Sequence, residues 1–246
     1  MFLISYNISN KGDLSITLTQ LLPFSFQWWG DGSQSAKDAV DSIIVRSTAN
    51  FNWTFIFILA VVFYVYWSEI HKKNYEAVFA GLALYAVHWL YEIANAIIGK
   101  ASGYPLWAVS NASTTFILLE GVSWELSMMF ALAGIISYKM MGDKNKRYFT
   151  FGGKYKGVST RVVTTIAMAL LFALFESFLA GTSNGSFIWV YPWWGVLPVI
   201  ITTYIPFFIA SNYINMAKPK LRTILLASGW GLVAILLVVL IPLGII

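Results

Sequence analysis

Cysteine is absent from the 246 residues, which excludes a disulfide framework, a thiolate nucleophile and a thiolate metal site. Charge is scarce: charged residues make up 11% of the chain against 58% hydrophobic. An ordinary soluble domain carries about twice that share of charge, so most of this chain is built to face lipid or other apolar helices. Histidine occurs only twice, and without cysteine that is a poor donor set for a tight transition-metal site. No metal and no cofactor is expected. The start, Met1-Phe2-Leu3-Ile4-Ser5-Tyr6, has no basic stretch, and Asn7, Asn10, Lys11 and Asp13 interrupt its apolar run, so no cleaved secretory signal is expected. The final apolar run, 221–246, holds no lysine, which disfavours a retinal Schiff base.

What is present are apolar runs close to the roughly 20 residues needed to cross about 30 Å of hydrocarbon. They fall at 51–67, 76–98, 114–138, 162–181, 193–212 and 221–245. The expected fold is therefore all-α, a polytopic membrane helix bundle of about six spans. Residues 1–50 form an extracytoplasmic or interfacial segment and 51–246 the bundle. Within the first segment Gln27-Trp28-Trp29-Gly30-Asp31-Gly32-Ser33 reads as a turn, and 36–45 as a short helix started by Ser35. Trp28 and Trp29 suit the aromatic belt at the membrane interface. Pro198, Pro206 and Pro242 are expected to kink the last two spans.

Basic residues retained on the cytoplasmic side set the orientation. Lys72, Lys73, the basic cluster of 139–161, Lys218, Lys220 and Arg222 fall on one side; Lys11, Lys37, Arg46 and Lys100 fall on the other. Both termini are thus expected outside and the basic loops inside. The net charge of +5 follows this asymmetry, and no nucleic-acid partner is expected; anionic lipids should gather at the basic loops. Asn-x-Ser/Thr triplets at Asn7, Asn52, Asn111 and Asn184 agree with the outer assignment.

Ionisable groups inside a span cost roughly 2.5–3.5 kcal/mol each, and so are retained mainly facing the bundle interior. His88, Glu92 and Asn95, at i, i+4 and i+7, share one face of the second span. Glu120, Ser123 and Ser127 share a stripe of the third, with Glu125 turned about 140° from Glu120. Glu176 lies in the fourth. Placed by depth, Glu92, Glu120 and Glu176 sit about one-third of the way in from the outer face, with His88 and Glu125 nearer the middle. No lysine or arginine lies within the spans to neutralise them. Such a set predicts a polar cavity in the outer half of the bundle, with Tyr85, Trp89, Tyr91, Trp124, Phe172, Phe175 and Tyr204 as candidate aromatic walls. An imidazole and several carboxyls in a dry aromatic cavity suit proton transfer to and from carbon, with ring faces available to a carbocation.

The pattern His88-x-x-x-Glu92, Glu120-x-x-Ser123 and Tyr191-Pro192-Trp193-Trp194 resembles the emopamil-binding protein family, which includes the sterol double-bond isomerase and the sigma-2 receptor. The resemblance covers 51–212. It implies a lipid (sterol or isoprenoid) double-bond isomerase in which Glu92 and Glu120 exchange protons and His88 orients or relays, with Ser123 at the family's threonine and Glu176 at its third acid. Asn95, Trp124, Glu125, Glu176 and Thr203 are the expected ligand-binding residues. The sequence departs from the family at Ser123, at Thr203 and Pro206 where an Asn-x-x-Trp would stand, and by a sixth span. The alternative is a non-catalytic subunit of a membrane complex, whose polar face binds lipid, quinone or partner helices. Membrane lipids and an apolar small molecule are the expected partners in the first case, neighbouring membrane subunits in the second.

Overall fold

A computed structural model describes residues 26–49, 51, 53–110, 116–149, 157–181 and 186–246. The triplets at Asn7, Asn52, Asn111 and Asn184, the basic residues Lys11, Lys154 and Lys156, and the first half of the expected outer segment lie outside them. Seven helices carry the described chain: α1 (Gln34–Asp41), α2 (Thr54–His71), α3 (Tyr75–Ser102), α4 (Trp124–Met140), α5 (Thr160–Gly181), α6 (Val196–Met216) and α7 (Pro219–Leu240). Helices α3, α5, α6 and α7 are long and apolar enough to cross a membrane, and α2 contributes a shorter apolar helix. Helix α4 spans 17 residues. The fold is thus mostly helical, and small antiparallel ribbons are added to the all-α expectation.

Those ribbons explain the largest departure from the expected spans. Residues 114–138 do not form one helix: β2 (Ile117–Leu119) and β3 (Val122–Ser123) make a hairpin turning at Glu120-Gly121, and α4 begins only at Trp124. Ser123 ends the strand and caps the helix, its hydroxyl accepting from the Leu126 amide at 3.2 Å, which satisfies a donor that the first helical turn leaves without a partner. The short helix also starts earlier than expected, because Ser33, not Ser35, is the capping residue. It buries Ala36 and Val40, the latter against Ala108 and Val190.

Helix α3 is the central element, packed by α2, α4, α6 and α7. Its contact with α4 is close because glycine faces glycine: a Cβ on Gly134 would stand 2.5 Å from the Ala80 carbonyl oxygen and 2.9 Å from the Gly81 Cα. Without a hydrophobic drive between helices in lipid, such small-residue crossings bring the backbones near enough for dense van der Waals contact. Helix α7 lies at the periphery, burying only Val233.

The two ends of the bundle differ. At one end β1 (Ala108–Val109) pairs with β6 (Phe187–Ile188), tying the α3–α4 connection to the α5–α6 connection. The segment 27–32 runs across this end as a strap: Gly30 donates to the Trp194 carbonyl at 2.6 Å, Asp31 to Trp189 at 3.1 Å and Gly32 to Val190 at 2.9 Å, while Val196 donates to Trp28. Trp28 and Trp29 keep much of their surface exposed. Arg46 reaches the carbonyls of Leu118 and the C-terminal Ile246 here. The opposite end gathers the basic residues. There β4 (Arg147–Tyr148) pairs with β5 (Val158–Ser159), Lys139 pairs with Glu69, and Lys144 meets Glu76 at 2.9 Å.

Replacing Gly134 by alanine forces α3 and α4 apart and should cost about 1–3 kcal/mol through overpacking, read as a lowered unfolding midpoint of the purified protein in detergent. Gly231→Ala, where an added Cβ meets nothing within 4 Å, should leave that midpoint unchanged or slightly raised.

Candidate functional site

The buried acids of α3 and α5 are held by tryptophans delivered from the loops. Glu92, one turn beyond His88 on α3, accepts from the Trp107 indole N–H at 3.2 Å to both carboxyl oxygens. His88 Nε2 lies 3.4 Å from Glu92 Oε1, but neither imidazole nitrogen has a hydrogen-bond partner among the described residues. The ring is stacked on Phe130 at 4.2 Å between centroids, with Phe207 edge-on at 5.9 Å. Glu176, on α5, accepts from the Trp189 indole at 2.8 Å and the Tyr204 hydroxyl at 2.5 Å.

Asn95 holds the loop that brings Trp107 to Glu92. Its Nδ2 donates to the Trp107 carbonyl at 2.8 Å, and its Oδ1 accepts from the Leu106 amide at 2.8 Å and the Trp107 amide at 3.4 Å. Gly121 closes this cluster from the hairpin: a Cβ there would stand 2.4 Å from Glu92 Oε2 and 2.5 Å from Asn95 Nδ2. Only glycine lets the turn approach so near.

Glu92 and Glu176 line the same narrow cavity, together with Trp107, Leu126, Phe130, Phe187, Trp194, Val199, Thr203, Tyr204 and Phe207. Its free volume is about 10 Å³, close to the space of one water. Thr203 enters it from an irregular stretch of α6, the π-turn Ile200–Tyr204. Pro206 has no N–H to offer the Thr202 carbonyl and its ring crowds that oxygen, so the helix widens just before it. Where a kink is expected at Pro206, the helix shows this widening.

The sequence-based set therefore divides. Glu92, Glu176 and Thr203 line the cavity, and His88 stands behind Glu92, stacked on Phe130. Asn95 is a loop clamp beside it, and Ser123 is a helix cap. Glu120 does not join Glu92: it sits in the hairpin turn, not on a helix, and its Oε2 lies 2.9 Å from where a Cβ of Gly99 would be, two helical turns, or about 10 Å, along α3 from Glu92. The expected stripe of Glu120, Ser123 and Ser127 assumed a helix that starts only at Trp124. Trp124 is 36% exposed and packs near Phe55, and Glu125 is half-buried in the first turn of α4; neither lines the cavity. Phe175 faces outward. Among the described residues no group of three or more His, Asp or Glu side chains is placed to hold a metal ion. Trp107 and Trp189 were absent from the expected set. The signal for them was indirect: buried carboxyls without a cation need neutral donors, and loop tryptophans supply them.

This combination of apolar spanning helices with acids buried between them is that of an integral membrane helix bundle. A family model described as an uncharacterized membrane protein family matches residues 33–242, and the chain belongs to that family. It is also similar to an uncharacterized protein of Archaeoglobus fulgidus, 32% identical over 185 residues, 74% of this chain and 83% of the relative. No solved structure matches.

Two measurements probe the Asn95 clamp and the Glu120 turn. Asn95→Leu strands two amides and one carbonyl in a dry interior, and should destabilise the protein by about 2–4 kcal/mol at roughly 1 kcal/mol or more per lost bond, seen in thermal unfolding. At Glu120, burial and the nearby Asp41 carboxylate hold the carboxyl above the usual carboxylate range, against the pull of Lys100. The folded state thus favours the protonated acid, and wild-type stability falls as pH rises through that raised value. Glu120→Gln removes the penalty, so the variant should melt above wild type at pH 8, with the gain shrinking toward pH 4; a gain that is larger at pH 4 overturns this.

Proposed function

We propose that the chain is a membrane enzyme that transfers protons to and from a lipid-soluble substrate, with Glu92 and Glu176 as the exchanging pair. The observation that supports this most is that the two carboxyls line one cavity and each is fixed by an indole N–H. A carboxyl held by a neutral donor is positioned without being locked to a cation, so it can gain and lose a proton with little rearrangement. His88, 3.4 Å from Glu92, is placed to relay that proton. The apolar part of the wall, Leu126, Phe130, Phe187, Val199 and Phe207, gives the carbon skeleton of such a substrate a surface without hydrogen-bonding groups. A shift of a double bond in a sterol or isoprenoid lipid is the reaction class this suits, since it moves one proton on and one off carbon.

In this reading α2 to α7 cross the bilayer, the basic end faces the cytoplasm, and the strapped end that holds the cavity faces outward, with both termini there. The gathering of Lys72, Lys139, Lys144, Arg161 and Arg222 at one end supports that orientation.

The test is deuterium uptake. Purified protein in liposomes would be incubated in D2O with a panel of unsaturated sterols and isoprenoids, followed by mass spectrometry of the extracted lipids. Wild type should place deuterium on carbon of at least one class, and Glu92→Gln and Glu176→Gln should each slow this by about 100-fold or more. Equal uptake by wild type and both variants sinks the assignment.

A further inference from the structure

Two residues that line the cavity each carry a buried polar atom without a partner among the described residues: the Trp194 indole Nε1 and the Thr203 hydroxyl Oγ1. Both residues are deeply buried, at 4% and 7% exposure. Leaving a buried donor unpaired costs about 1–3 kcal/mol, and here the two residues that bear such groups line one void. The neighbouring indoles of Trp107 and Trp189 are both paired, each to a carboxyl. Trp194 stacks on Trp107 at 5.6 Å, so its ring is fixed beside Glu92's donor while its own N–H stays free. Its backbone is held by the strap, which takes the Trp194 carbonyl through Gly30.

We infer that Trp194 and Thr203 form a two-donor clamp for the carbonyl oxygen of a lipid-soluble ketone or enone. The choice follows from what each group can do. An indole N–H donates only, so the bound atom must be an acceptor, which excludes an ammonium group. Glu92 and Glu176 flank the same cavity without a lysine or arginine, so a phosphate or carboxylate would be repelled. An uncharged oxygen remains. The void has room for little more than that oxygen, so the carbon skeleton must part the ring walls of Phe130, Phe187 and Phe207 as it enters.

This rests on the proton-transfer reading and names its substrate class. A carboxylate, Glu92 or Glu176, takes a proton from the carbon next to the carbonyl. The C–H pair becomes a new C=C bond, and the C=O π pair moves onto oxygen. Trp194 N–H and Thr203 O–H then stabilise that oxygen where the negative charge develops. A carboxylic acid returns a proton to carbon, at the original site or, where the substrate is a β,γ-unsaturated ketone, at the γ carbon at the far end of the dienolate. The carbonyl is restored in both cases, and in the second the double bond has moved into conjugation; no oxidant, reductant or co-reactant is needed.

The probe is geranylacetone labelled with carbon-13 at its carbonyl, added to the full chain in detergent, against the hydrocarbon that lacks the oxygen. Infrared spectroscopy should show a bound carbonyl band at lower wavenumber than in detergent alone. Trp194→Phe and Thr203→Val remove one donor each at nearly constant shape; each should move the band back and weaken ketone binding about fivefold to tenfold. Glu92→Gln should keep the band and lose exchange of the neighbouring C–H with D2O. Ketone and hydrocarbon bound equally with no band shift, or a high-resolution structure with ketone present that shows only a water between Trp194 and Thr203, overturns the clamp. A shifted band in wild type without any C–H exchange supports the clamp and sinks the proton-transfer reading instead.

Discussion

Two carboxyls, Glu92 and Glu176, are buried around one cavity that among the described residues no lysine or arginine lines, and that constraint organises most of what surrounds them. A buried acid needs hydrogen-bond donors whether or not it is ionised, and here they are uncharged: the indoles of Trp107 and Trp189 and the phenol of Tyr204. The indoles of Trp107 and Trp189 stand outside the helices, so their loops must reach down to the acids. The β1–β6 ribbon ties the two connections together just beyond the two indoles. Asn95 fixes the first by its backbone, and the strap of 27–32 fixes the second through the carbonyls of Trp189 and Val190. Gly121 is required because any side chain there would displace the Glu92–Trp107 contact.

The helical half of this arrangement was legible in the sequence. Charge-poor apolar runs gave the helices, and the spacing of His88, Glu92 and Asn95 gave one face, because both follow from periodicity along a single element. The third span was misplaced for a reason equally local. Residues 117–123 are apolar enough to continue a helix, and what stops them is Ser123 as a cap and a turn at Gly121 whose demand is tertiary. Glu120 was assigned to a helix face that does not exist at its position. The donors to the acids were illegible for a different reason: Trp107 is 15 residues from Glu92 and Trp189 13 from Glu176, across a chain reversal that no periodicity reports. Thr203 was singled out only by resemblance, and its placement depends on Pro206 three residues on.

The polar groups elsewhere in the bundle show that the unpaired ones are not a matter of loose packing. Toward the basic end, Ser137 donates to Asn212, Asn212 donates to Thr165, and Ser211 is satisfied by Phe208 and Asn212, all at 2.9–3.3 Å. Tyr85 and Ser127 meet at 2.7 Å. The same low-dielectric penalty acts on all of these groups, and the fold satisfies them. Outside the cavity region, the unpaired buried atoms among the described residues are Arg222 Nε and Trp230 Nε1, both on the peripheral α7. Trp194 and Thr203 are different: they line the cavity that Glu92 and Glu176 also line, and His88 stands beside Glu92. Among the described residues the fold pairs these core hydroxyls and amides yet leaves three side chains unpaired at or beside the two carboxyls, so unmet hydrogen bonding concentrates at the cavity instead of spreading through the core.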